Sequence, residues 1–320
     1  MTVPPCNLIA VDGGTTNTRI YLLAGSRITD SIRYPVGAGM RQNNSTLRAC
    51  VREGIARLLT RRHMRESQIR CVVMSGMICS ELGIMHVPHI PAPVSLHDLA
   101  QCAVKSYLPD ICGVPFIGIP GVKNGEAHAD GPDFMRGEET EFFGMDESYM
   151  QGASLTVLPG SHTKLVFSEN GTIVRCMSTL CGEMLAALSE NTILKKTFPN
   201  GLAKTADPRC IKRGYDLCAS HGLNNALFRV RILDRSLHVP QEELTGIFVG
   251  AILHDDVALI ARYAKTHRVL LGGAAPLRDM FRIALRHAAD DMDVTVLEDS
   301  ATLQPRGAYK IYERIVQLQS

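Results

Sequence analysis

The chain has 320 residues, of which 45% are hydrophobic and 21% charged, and its formal net charge is +2. This composition is typical of a globular protein long enough for two domains, and the near-neutral charge argues against nucleic acid or an anionic membrane as a partner. We expect no membrane helix, because no apolar stretch approaches the roughly 20 residues that one needs. We also expect no signal peptide, because residues 1–10 lack a charged segment before their apolar run.

The ten cysteines are scattered along the chain and include no C-x-x-C pair. In a chain of this size the pattern predicts buried thiols in a reducing compartment, rather than a disulfide framework or a zinc site. His86 and His89 are the only close histidine pair, and the proline between them argues against a shared metal-binding face on a helix. We therefore expect a cytoplasmic protein.

The first part of the chain alternates strands and polar turns. Residues 7–12 form an apolar run ending in Asp12, residues 13–17 form the turn Gly-Gly-Thr-Thr-Asn, and residues 19–23 and 27–34 are predicted as the next two strands. A helix should follow, because apolar residues recur on one helical face at Leu47, Val51, Ile55, Leu58 and Leu59. Further on, the pattern predicts strands at 70–74 and near 114–117 and a helix around 135–144.

The middle of the chain repeats this plan. Strands are predicted at 154–158, 164–167 and 172–177, with a polar turn at 159–163, a hairpin signal at Asn170-Gly171 and a helix carrying Met184, Leu185 and Leu188. The two copies share little sequence identity, so the repeat is one of architecture.

The remainder is predicted to be largely helical through 209–262, with strands at 268–271 and 293–297 and a helix that has Pro276 at its first position. No linker rich in proline, glycine and serine separates the two halves. We therefore predict domains at 1–148 and 149–320 that share an extensive interface with a cleft, and a last helix, about 305–320, that can pack back on the first domain.

The two polar turns suit a ligand with several anionic groups, because backbone N–H groups of a glycine-rich turn can point together at phosphate oxygens. The candidate contacts in the first turn are Gly13, Gly14, Thr15, Thr16 and Asn17. Those in the second turn are Gly160, Ser161, His162, Thr163 and Lys164. Asp12 becomes useful if Mg²⁺ or its water shell lies between its carboxylate and the phosphates. Either turn alone could be an ordinary hairpin, but two at equivalent places favour a nucleotide site.

Residues 135–141 concentrate groups suited to phosphoryl transfer. Glu138 and Glu139 could accept a hydroxyl proton, and Arg136 could hold a carboxylate or the transferring phosphoryl group. The alternative for each glutamate is that a helix start favours acidic side chains. Glu183 is either a substrate contact or a first-turn acid. Gly272 and Gly273 either approach a purine closely or connect a strand to a helix.

Three segments together resemble the 2-dehydro-3-deoxygalactonokinase family, and the resemblance follows nearly the whole chain. They are residues 9–19 (IAVDGGTTNTR), 135–140 (MRGEET) and 158–164 (LPGSHTK). The resemblance implies a duplicated ribonuclease-H-like α/β fold of the actin and sugar-kinase type with ATP in the interdomain cleft. It also implies transfer of phosphate from ATP to the 6-hydroxyl of 2-dehydro-3-deoxy-D-galactonate in galactonate breakdown.

The resemblance further implies positions for the ligands. It places Asp12 to Asn17 and Gly160 to Thr163 around the phosphates, Gly272 and Gly273 near adenosine, and Ser75, Gly76 and Met77 toward the sugar acid. The sequence departs from the family at Gly13, where a tryptophan is usual, and we expect this to free space near the cleft. It also departs at Ala274 and Ala275, where a hydroxyl is common, so contacts to the base should be backbone and apolar.

Our hypothesis is in-line transfer from Mg·ATP, with Asp12 organising Mg²⁺ and Glu138 or Glu139 acting as the base. Arg136 would balance charge on the substrate or in the transition state. The alternatives are a phosphatase or polyphosphate hydrolase of the same fold, a sensor that binds nucleotide and sugar acid without turnover, and an actin-like filament protein. The sequence leaves open the stereochemistry of the acid, the metal preference, which glutamate is the base, and whether the chain forms a homo-oligomer.

Overall fold

The computed structural model describes residues 6–39, 44–125, 131–289 and 292–319. Two compact units divide the chain. The first comprises Met1–Gly152, Phe167–Cys176 and Asp299–Ser320, and the second comprises Ala153–Val166 and Met177–Glu298. The sequence-based division into 1–148 and 149–320 stays a prediction about domains. By compactness, residues 299–320 and a strand segment of the second half group with the first unit.

The first half of the chain contains nine strands and three α-helices within its described residues. They are β1 (Asn7–Gly13), β2 (Thr18–Ala24), β3 (Arg27–Tyr34), α1 (Asn44–Arg61), β4 (Ile69–Gly76), β5 (Ile90–Pro91), α2 (Leu96–Cys102), β6 (Val104–Tyr107), β7 (Pro115–Gly118), β8 (Val122–Lys123), β9 (Phe134–Met135) and α3 (Glu138–Gly144). The predicted helix at 135–144 begins three residues late. Gly137 has φ +115°, a conformation that ends the preceding strand segment and that glycine adopts without strain.

A six-stranded sheet in the order β3-β2-β1-β4-β7-β6 forms the centre of the first unit. β1 pairs with β4 in parallel, so Asp12 lies opposite Ser75 and Gly13 opposite Gly76. The apolar face of α1 packs on one side of this sheet, in a core that includes Ile9 and Val11 of β1. The carboxyl ends of β1 and β4 therefore meet at one edge, which is where ligands bind in many parallel sheets.

The second half contributes β10 (Ala153–Leu158), β11 (Thr163–Glu169), β12 (Thr172–Thr179), α4 (Cys181–Asn191), α5 (Pro208–His221), α6 (Leu223–Leu237), α7 (Gln241–Tyr263), β13 (Arg268–Leu271), α8 (Leu277–Ala288), β14 (Val294–Val296) and α9 (Ser300–Gln317). Its sheet has the order β12-β11-β10-β13-β14. This matches the first five strands of the other sheet, β3-β2-β1-β4-β7, position by position. The predicted repeat of architecture is confirmed.

Helix α9 packs against β1, β4 and α3 within the first unit. Its contact with α3 is close because glycines occupy both sides. A methyl group on Gly307 would collide with the Thr140 carbonyl oxygen, and one on Gly144 would collide with the Leu303 carbonyl oxygen. Small residues thus let the two helix backbones approach, and α9 fixes the position of α3 from behind.

Helix α7 corrects one expectation from the sequence. It has 23 residues, and its most apolar 18-residue window has a mean hydropathy of 1.7, so it is long and apolar enough to cross a membrane. However, 72% of that window is buried inside the protein. Close contacts to α5, made through Gly214 and Gly250, account for this burial. Length and composition alone therefore do not separate a membrane span from a core helix, and it is the burial that identifies α7 as a core helix.

All ten cysteines are free thiols. Eight are buried, Cys6 is half-buried and Cys102 is exposed. Burial raises the pKa of Cys71 and of Cys79 to about 12, so these thiols stay protonated. The prediction that the thiols are buried is confirmed at eight of the ten positions and is wrong for the exposed Cys102 and the half-buried Cys6.

Candidate active site

The first polar turn connects β1 to β2 and is closed by its own backbone. Gly14 N donates to Asn17 O at 2.8 Å, and a following segment lies against it, with Gly39 N donating to Thr15 O at 2.9 Å. The side chains of Thr15 and Thr16 are exposed. The turn therefore presents backbone and hydroxyl donors to solvent, as a phosphate-binding turn requires.

Asp12 lies at the end of β1, directly before this turn. Arg19 Nη1 donates to Asp12 Oδ2 at 2.8 Å, and the Asp12 side chain is only 13% exposed. Burial raises the pKa of Asp12 above its usual range, and the nearby Arg19 guanidinium only partly opposes this effect. Asp12 is thus a buried carboxyl held in one orientation by Arg19.

Glycines bring three chain segments together beside Asp12. Gly76 has φ +84°, and a methyl group there would lie 2.7 Å from Gly13 O and 3.5 Å from Asp12 Oδ1. A methyl group on Gly137, at the start of α3, would lie 3.3 Å from Gly76 Cα. The ends of β1 and β4 and the start of α3 therefore meet at one point. This convergence places the predicted metal residue, the substrate segment and the candidate bases in one site.

The two candidate bases differ in their surroundings. Glu139 is fully buried, and both of its carboxyl oxygens accept from Gly137 N at 2.8 Å. Burial, with repulsion from Glu138, raises the pKa of Glu139 to about 8. Glu138 is half-buried and accepts from Arg136 N at 3.1 Å. Glu138 is the more accessible of the two carboxylates.

Glu141, one turn further along α3, belongs to the same acidic group. Burial and the charge of Asp12 raise its pKa to about 8. The sequence prediction assigned it no role, although its spacing of three residues from Glu138 puts both on one helix face. Glu141 is half-buried, and it lies near enough to Asp12 for the charge of one carboxylate to act on the other.

The predicted substrate segment follows β4. Ser75 is fully buried, and its Oγ accepts from Gln304 Nε2 of α9 at 2.7 Å. Met77 is partly buried and packs against the core of the first unit. Sequence reasoning missed Gln304, because a partner 229 residues away leaves no local signal.

Gly13 does not free space, contrary to the expectation from the sequence. A methyl group on Gly13 would overlap the side chain of Ile78, which is fully buried. Ile78 comes from the segment after β4 and fills the volume beside the turn. A larger residue at position 13 would require Ile78 to move.

The Arg136 guanidinium is directed at the backbone of the loop formed by residues 77–89, which we call the 77–89 loop. Its Nη1 donates to Cys79 O at 2.9 Å, and its Nη2 lies 2.8 Å from Val87 O and 3.1 Å from His89 Nδ1. The sequence prediction placed Arg136 on the substrate or the transferring phosphoryl group. The described contacts are with the protein itself.

The second polar turn, in the second unit, connects β10 to β11 and lies on the start of α4. A methyl group on Gly182 would lie 2.8 Å from Ser161 Cα, and Glu183 N donates to Ser161 O at 2.9 Å. The first turn of α4 is therefore directly behind this loop, and the positive end of a helix dipole favours an anion there.

Side chains of the second turn divide into two groups. Ser161 and His162 are exposed, and His162 Nε2 lies 3.0 Å from Glu183 Oε1. Thr163 and Lys164 are buried, and Lys164 Nζ donates to Ser178 Oγ at 2.5 Å. The structure thus places Glu183, predicted to bind substrate, on the turn predicted to bind phosphate.

The glycine pair after β13 also lies on this turn. Gly272 N donates to Val157 O at 2.9 Å, and Gly273 has φ +80°. A methyl group on Gly273 would lie 2.8 Å from Pro159 O. The predicted adenosine contacts and the second phosphate turn are therefore neighbours within the second unit.

Comparison with known proteins adds independent findings. A sequence model of the 2-keto-3-deoxy-galactonokinase family matches residues 12–310. The chain is 26% identical over 298 residues to the 2-dehydro-3-deoxygalactonokinase of Escherichia coli (strain K12), a match that covers 92% of this chain and 94% of that protein.

Solved structures show the same fold. A candidate 2-dehydro-3-deoxygalactonokinase from Sinorhizobium meliloti superposes with a TM-score of 0.75 at 20% identity, covering 94% of this chain and 96% of that one. An activator of 2-hydroxyisocaproyl-CoA dehydratase from Clostridium difficile, solved with bound ADPNP, gives a TM-score of 0.53 at 12% identity, covering 98% and 97%. The predicted fold class, the ribonuclease-H-like α/β fold of actin-like sugar kinases and ATPases, is confirmed.

Proposed function

Because the chain belongs to the 2-keto-3-deoxy-galactonokinase family, we propose that it transfers the γ-phosphoryl group of ATP to the 6-hydroxyl of 2-dehydro-3-deoxy-D-galactonate. A protein of this family is a kinase. The match to the family also confirms the resemblance that the three sequence motifs indicated. The reaction would serve galactonate catabolism. The free thiols further support a cytoplasmic location, where a small sugar acid would be the partner.

One observation carries the proposal. At the joined ends of β1 and β4, the buried Asp12 meets the start of α3 with its accessible carboxylate Glu138. Phosphoryl transfer to an alcohol needs a carboxylate to accept the hydroxyl proton near the site of the metal and phosphates. A site built only for nucleotide binding has no need of this second acid.

Glu138 is the base in our proposal. As the bond between the substrate oxygen and the γ-phosphorus forms, the hydroxyl proton passes to the Glu138 carboxylate and ADP leaves. Glu139 is less suited, because its raised pKa keeps it protonated near neutral pH and its oxygens are bound to Gly137 N. We assign Glu139 the role of fixing the start of α3.

The nucleotide would be held by the predicted turns at 13–17 and 160–163, with Gly272 and Gly273 beside the base. The ADPNP in the distantly related activator supports ATP as the ligand of this fold. The residues present fit Mg²⁺, because Asp12 and Glu141 offer carboxyl oxygens, the donors that Mg²⁺ prefers, and the charge of Asp12 acts on Glu141. Asp12 would hold the ion, directly or through water, and the ion would neutralise charge on the phosphates.

The test is a coupled ADP-release assay with a panel of 2-keto-3-deoxy acids, in which sugar phosphate and free phosphate are both measured. We expect one sugar 6-phosphate for each ADP and the highest kcat/KM for the galactonate-derived acid. Free phosphate released without sugar phosphate would identify a hydrolase instead. Equal kcat/KM values for galactonate- and gluconate-derived acids would contradict the substrate while leaving the kinase.

A further inference from the structure

The 77–89 loop is closed by hydrogen bonds between its own backbone groups. Ile84 N donates to Ile78 O at 2.9 Å and Val87 N donates to Cys79 O at 3.0 Å, so the two ends of the loop lie together. This is the arrangement of an Ω-loop, a compact segment packed by its own residues. Its tip is open to solvent, since the side chain of Glu81 is 84% exposed.

Arg136, which lies outside this loop, binds the loop neck, where Cys79 and Val87 bring its two ends together. Its guanidinium contacts Cys79 near the first end of the loop, and Val87 and His89 near its last end. Arginine always donates, so His89 Nδ1 is the acceptor and the His89 ring is neutral. The planar fork suits this task, because one guanidinium can donate to two carbonyl oxygens that a single ammonium cannot reach together.

The loop also contacts the rest of the site. Its first residues continue the proposed substrate segment, and its Ile78 fills the volume beside Gly13 in the first turn. Arg136 also contacts the start of α3, because its backbone N–H donates to the carboxylate of Glu138, the first residue of that helix. One residue therefore joins the 77–89 loop to the proposed base.

We propose that Arg136 is a positioning residue that holds the 77–89 loop against the start of α3, and that it does not bind the carboxylate of the substrate. The claim about the substrate carboxylate rests on the proposed function. The claim that Arg136 orders the 77–89 loop rests on the described hydrogen bonds and can be measured without turnover.

The first experiment is hydrogen exchange of the unliganded protein with mass-spectrometric readout. We expect amides of the 77–89 loop to exchange about tenfold faster in Arg136→Met and in Arg136→Lys, because each loses charge-assisted bonds that close the loop neck. Cleavage after Glu81 by a glutamate-specific protease should accelerate in parallel. Arg57→Met is the matched control, because Arg57 forms an exposed ion pair with Glu53 on the surface of α1. Unchanged exchange in the loop would overturn the proposal.

The second experiment compares the acid with a neutral analogue, the 3-deoxyhexulose in which a CH₂OH group replaces the carboxylate. If Arg136 only positions the loop, Arg136→Lys should lower kcat/KM by about 10- to 100-fold for both compounds, because displaced groups lose alignment. A loss at least tenfold larger for the acid would mean that Arg136 binds the carboxylate, and would overturn the proposal. His89→Leu, which removes one acceptor and no charge, should show a smaller loss that is again equal for both. If neither compound is phosphorylated by wild type, the proposed function fails, while hydrogen exchange still decides the role of Arg136.

Discussion

Glu138 and Glu139 are adjacent in sequence, yet the fold gives them opposite properties. Glu139 points back to the helix start and is fully buried, whereas Glu138 remains half-buried beside the convergence of β1, β4 and α3. The sequence could identify the pair but not choose between its members, because the choice depends on the turn that Gly137 makes at φ +115°. The difference in burial between these two side chains decides which of them can accept a proton at neutral pH.

We predict that Glu138→Gln lowers kcat by about 10² to 10⁴, the usual loss when a general base is removed. Glu139→Gln should lower kcat less, since a glutamine keeps the shape of an acid that is already protonated near neutral pH. Steady-state rates at saturating ATP and sugar acid check the ranking. A kcat near wild type for both variants would remove the glutamates from the mechanism.

The raised pKa of Glu139 also predicts a pH dependence of stability. In the folded protein this pKa is about 8, and in the unfolded chain it returns to about 4.3. Between these values the folded state keeps a proton that the unfolded state has released, so the free energy of unfolding falls as pH rises. Urea unfolding of Glu139→Gln between pH 5.5 and 8.0 should show a shallower fall than wild type. Glu141, whose pKa is also raised to about 8, contributes to the slope that remains. An unchanged slope would contradict the burial of Glu139.

The contact between Gly13 and Ile78 predicts a coupled pair of substitutions. Gly13→Ala alone should lower the free energy of unfolding by about 1–3 kcal/mol, because the new methyl group overlaps Ile78. In an Ile78→Gly background the same change should cost much less, because the nearest atom to the new methyl group, Ile78 Cβ at 2.4 Å, is then absent. A double-mutant cycle from denaturant unfolding measures the coupling. Additive costs would show that the two side chains do not share this volume.

At the scale of elements, the positions of the main strands were readable from the sequence, whereas the helix contacts were not. Two strand–turn–strand patterns predicted the first three strands of each half, because apolar runs and glycine-rich turns are local signals. The packing of α9 on α3 depends on Gly144 and Gly307, which are 163 residues apart and look like ordinary helical glycines. Arg136 was predicted to act on a ligand, since the sequence does not reveal that Cys79 and Val87 turn their carbonyls toward it.

Gly307→Ala tests whether α9 sets the position of α3. The added methyl group meets the Thr140 carbonyl, so the helices must separate, and we expect a loss of about 1–3 kcal/mol in the free energy of unfolding together with a lower kcat. Gly125→Ala is a suitable control, because its methyl group would lie 3.9 Å from the nearest atom, Ala92 O. Wild-type kcat in folded Gly307→Ala would show that the site tolerates displacement of α3.

At the scale of the whole molecule, the chain passes between its compact units at residues 152/153, 166/167, 176/177 and 298/299. The sequence suggested two consecutive domains with a last helix, about 305–320, that can pack back on the first. No local signal marks the segment Phe167–Cys176 as part of the first unit. The family assignment and the fold class needed only motifs in their order along the chain. The ligand geometry needed contacts between distant segments, such as Ser75 with Gln304.

The distribution of thiols makes the native protein nearly a single-cysteine protein for chemical labelling. Cys102 is exposed and Cys6 half-buried, while the other eight are buried. A maleimide dye should therefore modify Cys102 first, and at most a second equivalent, until denaturant makes all ten reactive. Mass spectrometry of the labelled protein checks the stoichiometry, and rapid reaction of more than two thiols would contradict the packing. Since Cys102 is the exposed last residue of α2, a fluorophore there would give a spectroscopic probe of the first unit without any mutation.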